Sequence, residues 1–211
     1  MDIPLFPLHV VLYPGSRLPL RIFEPRYRAL LSDVLAGDET FGIAAIAHGM
    51  EAGGPADVHP VGTRALVQGV VRGDDGSADI VVLGTDRFRI DRRLPEDPYP
   101  RAAVTILPEE RGAGAGAALA DARAAVARYR VVLARFEEPV DELDVPDDPV
   151  EAAYVLASAL RLDTAGHQRS LGAADAAERL RLVADAARTE TTLLEQIGPP
   201  VGRIPSSYSP N

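Results

Sequence analysis

Residues 18–31 read "LPLRIFEPRYRALL". Leu18, Leu20, Ile22 and Phe23 predict a strand over 18–23. Pro25 suits the first turn of a helix, where its missing N–H would have had no intrahelical partner. Glu24 just before it places negative charge at the positive end of the helix. Tyr27, Leu30, Leu31, Val34 and Leu35 recur at helical spacing, and Gly37 is a good stop. The stretch is therefore a strand-to-helix junction. Arg26 and Arg28 fit it less well, because positive charge in a first turn opposes the helix dipole by about 0.3–1 kcal/mol per charge. Two roles would explain them. Their long stems cover apolar surface and their heads pair with nearby acids. Otherwise Arg26, Tyr27 and Arg28 form a peptide-contacting rim, since Arg and Tyr are enriched at binding hot spots. Phe6, Leu8 and Tyr13 of the adjacent "LFPLHVVLYPG" would then add apolar contacts.

Around this junction the chain alternates short apolar runs with Pro, Gly and Asp up to about residue 110. Strands are expected at 3–6, 8–13, 18–23, 41–47, 61–71, 79–84, 87–93 and 101–107. Asp75-Gly76 marks a hairpin, so Val67, Val70 and Val71 should pair antiparallel with Ile80, Val81 and Val82. In "DRFRIDRR" (86–93), Phe88 and Ile90 should face one side of a half-exposed strand and Arg87 and Arg89 the other, with an anion- or peptide-contacting face as the second reading.

Beyond "EERGAGAG" the pattern becomes helical. Leu119, Ala122, Val126, Tyr129, Leu133 and Phe136 step by three and four, as a buried stripe does. Asp147-Asp148-Pro149 is a helix start, leading into Val150, Ala153, Tyr154, Ala157 and Leu160. A last helix over about 173–197 carries Leu180, Val183, Ala187, Leu194 and Ile197. The same count places Glu190 on the stripe, where an acid needs a partner or water. Packed together these helices form a bundle. Residues 49–60 read as a flexible loop and 199–211 as a disordered tail.

Of the 211 residues, 46% are hydrophobic and 25% charged, the balance of a soluble protein with a packed core. No apolar run reaches the roughly 20 residues that span a bilayer, so no membrane partner is expected. The amino terminus starts with an acid and is broken by Pro4, Pro7 and Pro14, unlike a signal peptide. There is no cysteine, which excludes thiol chemistry and makes the cytoplasm the expected compartment. The net charge of −9 disfavours nucleic acid and anionic membranes. All 22 basic residues are arginine, which fits GC-rich coding and excludes a P-loop lysine, a Schiff-base lysine and a Ser-Lys dyad.

Catalytic patterns are missing. His9, His48, His59 and His167 never fall at metal-ligand spacing, so no metal or other cofactor is expected. There is no G-x-S-x-G, and "GAGAG" at 112–116 does not follow a strand as a dinucleotide fingerprint must. The acidic pairs Glu109-Glu110, Glu137-Glu138 and Asp147-Asp148 sit at helix boundaries or loops, where solvated charge is the ordinary reading.

In order along the chain, eight stretches resemble the amino-terminal substrate-binding domain of Lon proteases: "IPLFPLHVVLYPG" (3–15), "LPLRIFEPRYRALL" (18–31), "FGIAAI" (41–46), "VGTRALV" (61–67), "GTDRFRI" (84–90), "PYPRAAVTIL" (98–107), "AYVLASALRLD" (153–163) and "RLRLVADAARTETTLLEQI" (179–197). The resemblance implies an α+β fold: a PUA-like antiparallel β pseudo-barrel with one inserted helix (1–110), then a C-terminal α-helical bundle (111–198), then the tail (199–211). It also implies a non-catalytic module, because in full Lon proteases the ATPase and protease domains follow, and this sequence stops at Asn211 without a lysine. The expected partners are unfolded or specific protein clients and a protease to which they are presented. The alternative is RNA, since PUA-like folds also occur in RNA-binding proteins; Arg17, Arg21, Arg26 and Arg28 would be its local patch.

Overall fold

A computed structural model describes residues 1–48, 57–136 and 142–198. The expected tail, Glu137-Glu138 and most of the 49–60 loop lie outside the described residues. Two compact units emerge, Met1–Pro108 and 109–198.

The first unit runs β1 (Asp2–Leu8), β2 (Arg17–Ile22), α1 (Pro25–Leu35), β3 (Thr40–His48), β4 (Asp57–Val58), β5 (Val61–Arg72), β6 (Ala78–Leu94) and β7 (Arg101–Ile106). The strands follow the order β1-β7-β6-β5-β3, and β1 pairs again with β3, so the sheet closes on itself. Every pair is antiparallel except this closing one, which is parallel (Leu5 opposite Gly42, Leu8 opposite Ala45). A parallel pair cannot be joined by a hairpin. The connection between β1 and β3 carries β2 and α1 instead, and this is why the single helix is inserted here.

Hairpin chemistry sets the β5–β6 register. Gly73 N donates to Ser77 O (2.8 Å), and Gly76 holds φ +79°. Val67 lies opposite Val82 and Val70 opposite Ile80, with an irregularity between Val67 and Gly69. The runs 79–84 and 87–93 are one strand, β6. The run 8–13 is extended only as far as Leu8. The chain then turns through Tyr13-Pro14-Gly15-Ser16, with Ser16 N donating to Tyr13 O (3.1 Å). Proline followed by a glycine at φ +79° is the pattern of a type II turn. This turn lies on β6: Gly15 N donates to Gly84 O and Gly84 N to Ser16 O, both at 2.9 Å. A Cβ at position 84 would lie 2.2 Å from Tyr13 O, so only glycine fits there.

Arg87 is the exception to the expected alternation. It is 1% exposed, as deeply buried as Phe88. Leu107 N donates to Arg87 O (2.9 Å), and the Arg87 guanidinium donates to Pro108 O (3.4 Å). Both faces of β6 are thus covered at this point, and the covering residues are remote in sequence.

The second unit contains α2 (Ala115–Leu133), α3 (Pro149–Ser158), α4 (Thr164–Leu171) and α5 (Ala176–Ile197). Asp148 caps α3, its carboxylate accepting from Val150 N and Glu151 N. Leu119, Ala122, Val126, Tyr129 and Leu133 are buried, but Phe136 lies beyond the helix end and is exposed. Arg128 pairs with Glu195 (2.5 Å) and Arg188 with Asp121. Both partners advance by seven residues, so α2 and α5 run parallel. Arg179 is fully buried: its guanidinium donates to Ser170 O (3.0 Å), lies 4.1 Å from the Tyr154 ring centroid and reaches the Glu109 carboxylate at 3.6 Å. Tyr154 Oη donates to the same carboxylate (2.6 Å). A buried charge needs such compensation.

Two measurements follow from this packing. Gly84→Ala should cost about 1–3 kcal/mol or more in urea unfolding; an unchanged midpoint would contradict the close approach. Burial pushes the His167 imidazole below its usual 6.5, against the attraction of Asp163. The unfolded chain therefore takes up this proton first, and folding stability is complete above about pH 6.5 and falls as pH drops below it. His167→Gln should remove part of the loss between pH 7 and 5.5, read by ellipticity of the helices. An equal loss in both proteins would contradict the burial argument.

Candidate functional site

The site begins at the start of α1. Glu24 occupies the cap position with extended backbone, and Arg28 N donates to its carbonyl (2.9 Å). Its carboxylate makes no cap hydrogen bond and accepts from Arg26 Nε instead (3.0 Å). Arg26 also reaches Glu96 (3.4 Å). Two acids thereby offset the charge that the helix dipole opposes. The Arg26 guanidinium lies 4.6 Å from the Tyr27 ring centroid. Tyr27 stacks on Phe6 (centroids 4.1 Å), and Phe6 meets Phe41 at 6.0 Å. A column of three rings thus runs from α1 through β1 to β3, capped by one arginine. Burying each ring contributes about 1.5–3 kcal/mol, and ring pairing adds about 0.5–1.5 kcal/mol.

A cleft opens beside this arginine. Its apolar walls are Leu5, Pro7, Tyr27, Val58, Leu94 and Pro100, and its charges are Arg26, Arg93, Arg101 and Glu96. Barrel closure assembles it: Leu94 lies opposite Arg101 across β6 and β7, Arg101 opposite Pro4 of β1, and Leu5 N donates to Pro100 O (2.8 Å). Tyr99 fastens the 95–100 connection to α1, its hydroxyl donating to Asp33 (2.7 Å). Burial, together with that carboxylate, pushes the phenol up, so it stays a donor at neutral pH. Arg93 is held loosely by Asp57 at 3.7 Å. Arg101 is exposed and has no ion pair or hydrogen bond from its side chain among the described residues.

The residues singled out in the sequence separate here. Phe6, Leu8, Tyr13 and Tyr27 are at most 4% exposed. Phe6, Leu8 and Tyr27 belong to the barrel core, and Tyr13 is buried where its turn lies on β6, so the expected exposed apolar contacts are corrected to core packing. Only the flank of Tyr27 reaches the cleft, with Arg26. Arg28 points elsewhere, its guanidinium donating to Gly76 O (3.4 Å) at the β5–β6 turn. Arg21 approaches Asp75 of that turn at 4.0 Å, and Arg17 donates to Gln68 (3.1 Å). The four arginines therefore do not form one patch: Arg21 and Arg28 both reach the β5–β6 turn, Arg17 lies on Gln68 of β5, and Arg26 stands apart at the cleft. Val58, Leu94, Glu96 and Arg101 carry no local sequence signal; Arg93 closes the "DRFRIDRR" stretch, whose second reading was a contact face. Among the described residues no group of three or more His, Asp or Glu could hold a metal, and no helix is long and apolar enough to cross a membrane.

Residues 2–187 match the family model described as the ATP-dependent protease La (LON) substrate-binding domain. Lon protease 1 of Herpetosiphon aurantiacus is 24% identical over 206 residues, 93% of this chain and 25% of that protein. The Lon N-terminal domain protein from Xanthomonas campestris has a similar crystal structure (TM-score 0.64, 25% identity, covering 88% of this chain and 98% of that one). The solved structure of the N-terminal domain of Mycobacterium avium complex Lon protease is also similar (TM-score 0.67, 22% identity, 89% and 98%). Against curated relatives such as those of Flavobacterium johnsoniae, Sorangium cellulosum and Herpetosiphon aurantiacus, the matched region spans 14 to 25% of their length.

Arg26 and Glu24 are mostly covered, their side chains 21% and 16% exposed. Arg26→Ala should therefore lower stability by about 1 kcal/mol, whereas Arg28→Ala should stay within about 0.5 kcal/mol. Equal urea midpoints for the two variants would contradict the assignment of Arg26 as the cap of the ring column.

Proposed function

The chain belongs to the Lon substrate-binding domain family, and from that premise we propose that its barrel cleft captures segments of protein substrates. We further propose that it acts as an adaptor, presenting unfolded or specific clients to a protease. The observation that carries this is Arg101: a guanidinium without an ion pair or hydrogen bond among the described residues, beside apolar walls and next to two arginines that already have carboxylate partners. Such a surface suits an extended client segment that places an apolar side chain between Leu94, Val58 and Pro100 and a carboxylate on Arg101. Charge-assisted contact at the rim would orient the segment, and desolvation of the walls would supply affinity.

RNA binding is the competing reading, and it requires clustered positive charge. Arg17, Arg21 and Arg28 each have a local partner and lie apart from the cleft arginine Arg26, and with the net charge of −9 this favours a protein client.

A reduced, carboxymethylated and therefore permanently unfolded protein is a direct probe. Arg101→Ala should weaken its capture at least about tenfold, or about 1.4 kcal/mol, with the thermal midpoint unchanged. Arg28→Ala should leave capture intact. Capture should also persist when salt rises from about 50 to 200 mM, a change that costs phosphate-contacting binders orders of magnitude. Unchanged capture by Arg101→Ala would place recognition outside the cleft, and tight, salt-sensitive RNA binding would favour the competing reading.

A further inference from the structure

Helix α5 carries two apolar faces, and only one of them is used. Leu180, Val183, Ala187 and Leu194 are buried. Leu182, Ala186, Leu193 and Ile197 form the second face: at 3.6 residues per turn they fall within about 60° of one another and extend over about 22 Å. Leu182 and Ala186 floor a groove against α4, and Leu193 and Ile197 beyond it are 42% and 79% exposed. Glu190 lies on the edge of this face, half-buried, and Arg169 stands on the α4 wall, exposed. Neither side chain has a hydrogen bond or ion pair among the described residues. A partly desolvated carboxylate and an idle guanidinium therefore line one apolar groove without meeting each other.

We propose that this face is a two-fold interface between two copies of the chain. In a two-fold contact the same patch meets itself, so residue i of one copy faces residue j of the other, and j faces i. One free cation and one free anion on the same groove are self-complementary under that operation. Each copy's Arg169 meets the partner's Glu190, giving two ion pairs that flank the Leu182, Ala186, Leu193 and Ile197 faces. The patch is short, as in weak and transient interfaces, and the expected association is micromolar. This inference concerns the second unit and does not depend on capture of a client by the barrel cleft.

The test is sedimentation equilibrium of the full chain from about 5 to 500 µM, a range that brackets micromolar association. The wild type should show a monomer–dimer equilibrium. Glu190→Arg and Arg169→Glu alone should each raise the dissociation constant at least about tenfold, because like charges then meet twice. The double variant Arg169→Glu with Glu190→Arg should restore it to within about threefold. Helical ellipticity and thermal midpoint are recorded for each. Should a charge variant unfold, Ile197→Asp at its exposed position carries the same expectation of dissociation. A wild type that stays monomeric throughout overturns the proposal. So does a dimer indifferent to the single reversals and to Ile197→Asp, or a well-folded double variant that fails to recover.

Discussion

The barrel depends on where β1 is placed. This strand pairs with β7 on one side and, in parallel, with β3 on the other, and among the described residues no other pairing closes the ring. Because a parallel partner requires a crossover, the chain between β1 and β3 has to leave the ring and return, and α1 is part of that path. Phe6 then ties the crossover back to the ring, with Tyr27 of α1 on one side and Phe41 of β3 on the other. Closure also brings the end of β6 and the start of β7 beside the start of α1. The cleft is a by-product of this topology rather than of any single motif.

The electrostatics of the cleft follow from the same geometry. Arg26 is unfavourable to its own helix and is compensated by Glu24 and Glu96, so it is a fixed wall. Arg93 is tethered more loosely by Asp57. Arg101 emerges from the first position of β7, where no acid among the described residues pairs with it. A chain with net charge −9 thus places three arginines at one apolar cleft, and under the proposed function this arrangement would favour acidic and apolar features in a client.

What was legible in the sequence was what is decided within a few residues. The helix starts at Pro25 and at Asp147-Asp148-Pro149 and the antiparallel hairpin across Asp75-Gly76 all rest on local cap and turn chemistry, and the structure has each of them. The continuity of β6 and the burial of Arg87 were not legible, because residues 13–16 and 107–108 do the covering from far away in the chain. The short α4 gave no periodic signal. Ile197 illustrates a subtler limit. Steps of three and four tolerate about 60° of rotation between Leu194 and Ile197, which is enough to merge two faces of α5 into one apparent stripe. Glu190, seven residues before Ile197, lies on the boundary between the two faces, half-buried rather than in the core. At the cleft, Arg26 was legible as a charge out of place in a first helical turn, whereas Arg101 became visible only once β1 and β7 were paired.

The central claim, that the barrel cleft is the surface that meets a client, is tested most directly by mapping contact residue by residue. Backbone amide shifts of the isotope-labelled chain would be followed as a permanently unfolded protein is titrated in. The account predicts that the largest changes fall on Arg26, Tyr27, Val58, Arg93, Leu94 and Arg101. Changes confined to residues 109–198, or to β2 and the β5–β6 turn, would contradict it.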